Sequence, residues 1–153
     1  MLSLTLAAVA PKSGASMCAL TAEDFKAAGV PGAGELKARV RDDGVSAYCV
    51  YGGRSSATGG IELDVFYPAG LGVTEARATF EFTAGDLGRP DRFAKVPGAD
   101  EARWTPSAST RNGPPFSAIV VRKGTLVFAI AFPASKKAQK QLTTLAGVAL
   151  KRF

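Results

Sequence analysis

Two apolar runs, 117–122 (SAIVVR) and 125–132 (TLVFAIAF), are separated only by Lys123-Gly124. So short a gap must fold the chain back on itself, so the pair reads as an antiparallel hairpin. The run 61–67 (IELDVFY) alternates: Ile61, Leu63, Val65 and Tyr67 share one face, Glu62 and Asp64 the other. Period-two alternation marks a half-buried antiparallel strand with a solvated outer face. Residues 45–51 (VSAYCVY) put Val45, Ala47, Cys49 and Tyr51 on one face, and read as the hairpin partner of 61–67 across the turn-rich stretch 52–60. With a short strand over 102–105, centred on Trp104, the sheet holds about five to six strands.

Three helices complete the pattern. The first, near 21–29, opens with Thr21 as N-cap and Asp24 three residues on, and Leu20 and Phe25 occupy the staple positions. Gly29 and Pro31 stop it. The second, near 74–84, takes Thr74 as N-cap and turns Val73, Ala76, Phe80 and Ala84 inward. The third, near 135–150, is capped by Ser135, with Ala138, Leu142, Leu145, Ala146, Ala149 and Leu150 on its apolar side. Lys136, Lys137, Lys140, Gln141 and Thr144 would face water, and Lys151 and Arg152 sit at the end where the helix dipole favours cations. Hairpins rather than parallel crossovers dominate. The fold class is therefore α+β: one antiparallel sheet with the helices packed mainly on one face. Asp42-Asp43-Gly44 reads as a turn, and 85–98 (GDLGRPDRFAKVPG) as an irregular basic loop.

A chain of 153 residues fits one domain, here 18–153. Residues 1–17 read as a signal-peptide remnant or a flexible N-terminus, because 2–10 (LSLTLAAVA) is apolar, too short to span a bilayer, and ends in the small-residue pattern Ala8-Val9-Ala10. Export agrees with the two cysteines. Cys18 and Cys49 most simply form one structural disulfide, and the spacing carries no CxxC redox motif. A lipid anchor at Cys18 is not expected, since Ala15 and Met17 stand where a lipid-attachment site needs a Leu and a small residue.

The chain has no histidine. That removes Ser-His-Asp and Cys-His catalysis and most zinc sites, and no metal or cofactor is implied. Glu62 and Asp64 lack any sign of a pocket. No GxSxG or phosphate-binding loop is present. The net charge of +6 is spread over several groups: Arg89, Arg92 and Lys95; Lys136, Lys137 and Lys140; Lys151 and Arg152. None is interleaved with aromatics as single-strand nucleic-acid binders require, so nucleic acid is not expected as a partner. Trp104, the only tryptophan, follows the basic loop and is the candidate binding residue, flanked by Arg89, Arg92, Lys95 and Arg103.

The fragments 18–24 (CALTAED), 47–51 (AYCVY), 96–104 (VPGADEARW) and 120–124 (VVRKG) together resemble a group of small bacterial cell-envelope proteins of unknown function. These are often lipoproteins, related in style to the extracellular sensor domain of a mycobacterial serine/threonine kinase. The resemblance covers most of 18–153. It implies an exported αβ domain with a disulfide near the first helix and a role in binding or sensing, and it carries over no catalytic residue.

The expected function is that of a non-catalytic, exported envelope domain, periplasmic or secreted, that binds a partner protein or small ligand as a monomer or weak dimer. A surface-occluding inhibitor or structural module is the alternative, and a histidine-free carboxylate enzyme ranks last.

Overall fold

The computed structural model describes residues 17–40, 46–66, 72–109 and 112–153. The apolar segment 2–10, the turn Asp42-Asp43-Gly44, and the strand ends Val45 and Tyr67 lie outside them. The elements run α1 (Ala22–Ala27), β1 (Leu36–Val40), β2 (Ser46–Tyr51), β3 (Ile61–Phe66), α2 (Val73–Asp86), β4 (Arg92–Phe93), β5 (Glu101–Ala108), β6 (Phe116–Lys123), β7 (Leu126–Pro133) and α3 (Ala138–Arg152). The seven strands form one sheet, ordered β1-β2-β3-β7-β6-β5-β4, with every neighbouring pair antiparallel. The single-domain α+β architecture is as the patterning requires, with β1 and β4 beyond the five to six strands expected.

Two helices share one face and the third covers the other. On the first face, Ala47, Cys49, Tyr51, Leu63, Val65, Phe128, Ile130, Ile119 and Val121 pack under Phe25 of α1 and Leu142, Leu145, Ala146 and Ala149 of α3. On the second, Ala118, Val120, Val127, Ala129 and Ala131 lie under Ala76, Phe80 and Ala84 of α2. Seven of eight residues in both β6 and β7 are therefore buried, the pattern of a strand covered on both sides rather than one. Alanines on the second face let α2 approach closely, with Phe80 as the large side chain that fills the gap.

The turn between β6 and β7 comes one residue later than Lys123-Gly124. Lys123 pairs with Leu126, leaving Gly124 and Thr125 as its two central residues, and Gly124 takes φ +59°, where a side chain is strained. Asp100 Oδ2 accepts from Gly124 N–H at 2.7 Å. The guanidinium of Arg122, buried between β5 and β6, donates to Asp100, Glu101 and Gly124 C=O. The fragments 96–104 and 120–124 thus meet in one clamp.

The bridge Cys18–Cys49, with Cα atoms 5.8 Å apart, ties the segment before α1 to β2. Beside it the Tyr51 hydroxyl donates to Leu20 C=O at 2.7 Å, and the Tyr51 and Phe25 ring centres lie 4.7 Å apart. Burial, then the nearby Asp24 charge, raises the Tyr51 phenol above its ordinary range.

α1 starts as its sequence specifies. Asp24 N–H donates to Thr21 Oγ1 at 3.3 Å, and Thr21 N–H to Asp24 Oδ2 at 2.6 Å. The same carboxylate accepts from both arms of Arg152 at the end of α3. Burial alone would raise the Asp24 pKa, but hydrogen bonds from Arg152 and Thr21 outweigh it and hold the carboxyl below its ordinary value. A depressed carboxyl stabilises the fold above its unfolded pKa, and that stabilisation is lost as pH falls through the folded value. Asp24→Asn should therefore cost about 1 kcal/mol at neutral pH. In urea titrations the gap to the native chain should close at a pH well below the ordinary carboxylate value of 3.8. An equal gap at both pH values would remove the ion pair as its source.

The other two helices begin away from their expected caps. α2 is capped by Gly72, whose N–H donates to Glu75 Oε2 at 2.9 Å, two residues before Thr74. α3 begins at Ala138. Ser135 still supports its entry, because its Oγ accepts from Lys137 N–H at 3.2 Å. Gln141, expected in water, is buried and donates through Nε2 to Gly29 C=O at 3.0 Å, joining α3 to the end of α1.

Candidate functional site

Where β4 pairs with β5, Arg92 stands opposite Trp104 and Phe93 opposite Arg103. Pleating sends the first pair to the α3 side of the sheet and the second to the α2 side. The five candidate residues are divided accordingly.

On the α3 side, Trp104 is only 7% exposed, so it is a floor rather than a protruding anchor. The Arg92 guanidinium lies 5.2 Å above its ring centre, a cation–π arrangement. α3 packs across β5, β6 and β7, and a cleft of about 850 Å³ lies between the start of the helix and Arg92 and Lys95. Arg92 and Lys95 line one wall. Lys136, Lys137 and Lys140 line the other, with Ser135, Gln139 and Thr143 between them. Among the described residues no carboxylate lines this cleft. Among the described residues, none of these five cations forms an ion pair. The first turn of α3, the positive end of its dipole, also lines the cleft. Five cations of a chain with net charge +6 thus gather around one opening.

On the α2 side, Arg103 forks onto Glu81 and stacks 5.1 Å over the Phe80 ring. The Glu81 hydrogen bond raises the Arg103 pKa further, against a small opposing effect of burial. Arg89 is exposed, with φ +56°, at the C-terminal turn of α2. It lines a separate shallow groove with Glu81, Asp91, Phe93 and Arg103. The groove holds two carboxylates, but both arms of Arg103 already occupy Glu81. Arg89 and Arg103 therefore do not join Arg92, Lys95 and Trp104.

The Glu62–Asp64 face of β3 is not the solvated face its alternation implies. Glu62 is buried, accepting from the Tyr48 hydroxyl at 2.6 Å and from Ser56 N–H at 2.8 Å, because the turn Ser56–Thr58 folds over it. Burial, then the Glu62 hydrogen bond, raises the Tyr48 phenol above its ordinary range. The carboxylate is a structural acceptor. Among the described residues, no cluster of three His, Cys, Asp or Glu side chains could hold a metal ion. Nor is any helix among them long and apolar enough to cross a membrane.

Lys136 and Lys137, just before α3, and Lys140 in its first turn are the part of the cleft that sequence alone does not assign. They are more than 40 positions from Arg92. Only the path of α3 back across β5 brings the two groups together.

No protein-family model, curated protein or solved structure shows significant similarity to the chain.

Proposed function

We propose that this chain is a non-catalytic, exported binding domain that holds an anionic ligand in the cleft between α3 and the β4–β5 edge. The observation that carries this reading is the gathering of Arg92, Lys95, Lys136, Lys137 and Lys140 around Trp104 with no carboxylate among them. Elsewhere Asp24, Glu81, Asp100 and Glu101 are each met by an arginine. Like charges held together without partners repel one another, and a bound anion relieves that repulsion. The cleft offers charge, hydroxyls and an aromatic floor, which suit holding a ligand rather than transforming it. The Cys18–Cys49 bridge supports an oxidising, exported location, where such bonds persist.

Lys136→Glu combined with Lys140→Glu tests the reading. Both side chains are exposed, so the unfolding free energy should stay within about 0.5 kcal/mol of the parent. Affinity for inorganic polyphosphate, read by titration calorimetry, should fall by about 10- to 100-fold and lose much of its salt dependence. Unchanged affinity would place any anion binding elsewhere.

A further inference from the structure

Resting on that reading, we infer that the occupant of the cleft is an extended acidic peptide segment, which adds as a strand to the free edge of β4. The inference comes from the ladder. Ala94 N–H donates to Ala102 C=O at 3.1 Å, so that pair is a hydrogen-bonded one. Bonded and non-bonded pairs alternate along an antiparallel ladder. Arg92–Trp104 is then bonded, and Phe93, between them, turns its N–H and C=O away from β5. β4 is the outermost strand, and among the described residues neither group has a partner.

A strand added there places alternate side chains on opposite faces of the sheet. Those on the α3 side fall beside Arg92 and the lysine-lined cleft, which selects carboxylates. Those on the α2 side meet the Phe93 ring, 85% exposed, which selects apolar groups. The recognised segment therefore alternates acidic and apolar residues. Short edges guarded by basic side chains usually deter pairing. Here the guard repels basic strands and attracts acidic ones, so it sets a specificity as well as a barrier.

The test uses the full chain and a short synthetic peptide alternating Glu and Val, with inorganic polyphosphate as a second probe. Phe93→Pro removes the outward N–H and leaves the bonded residues on either side, and Phe93→Ala controls for the lost ring. Peptide affinity should be about tenfold lower in Phe93→Pro than in Phe93→Ala, with polyphosphate affinity equal in both. As a check independent of any variant's folding, the unsubstituted chain is titrated with peptides N-methylated on alternate residues, in each of the two phases. One phase should lose binding and the other keep it. Equal binding of both phases, or binding of polyphosphate but not of peptide, would overturn strand addition and leave the anion cleft standing. Binding of neither probe would overturn both.

Discussion

Removal of the Cys18–Cys49 bridge is expected to lower the unfolding free energy by about 3–4 kcal/mol, the entropy of closing a loop of 31 residues in the unfolded chain. The native contacts around the bridge are made by other side chains and are expected to outlast it. Tyr51 still bonds Leu20 C=O, Phe25 still packs on Tyr51, and the capping box of α1 closes on itself. The loss should therefore come through the unfolded state, with the sheet and all three helices retained in the reduced protein. Urea unfolding with and without a thiol-free reductant, and of the Cys18→Ala/Cys49→Ala pair, measures it. A loss below about 1 kcal/mol would mean that the unfolded chain is already compact across this loop. A reduced protein that no longer folds would mean that the bridge holds native structure as well.

Phe80→Ala should cost about 3–5 kcal/mol, the range for truncating a fully buried phenylalanine. Among the described residues α2 is the one helix on its face of the sheet, and the other residues it buries there are small: Ala76, Thr83 and Ala84. Phe80 also carries the Arg103 guanidinium, which is fixed to Glu81 on the same helix. Truncation thus removes the packing beneath α2 and the platform beneath its ion pair. Its amides should lose hydrogen-exchange protection ahead of those in β6 and β7, which stay covered by α3 on the other face. A cost under about 1 kcal/mol, with α2 protection unchanged, would show that α2 is held by other means.

What the sequence discloses follows from how each element announces itself. Strand β3 and the β6–β7 hairpin are written in alternation and turn length, and α1 in a complete capping box. Cys49 and Tyr51 fall on the inner face of β2 as their spacing requires. Strand β1 had a signal, since Leu36, Ala38 and Val40 alternate with Lys37 and Arg39, but most of that edge strand is exposed and resembles a polar linker. Strand β4, two residues long, has none. The covering of both faces was present in the unbroken apolar runs of β6 and β7, yet nothing local says which helix lies on which side. Glu62 and Gln141 look solvent-facing by period and are buried because residues outside their own elements, Ser56 in the preceding turn and the distant Gly29, supply their partners. The candidate site divides for the same reason. Adjacent residues such as Arg103 and Trp104 point to opposite faces, and the lysines that complete the cleft lie at the start of α3.

The anion-binding cleft is tested most directly by mapping amide and indole shifts of the 153-residue chain while polyphosphate is titrated in. Shifts concentrated at Arg92–Lys95, the Trp104 indole and Ser135–Lys140, with Arg89 and the basic residues of β1 unmoved, are the expected result. Shifts centred on Lys37 and Arg39 or on Arg89, or none at any site under low salt, would contradict it.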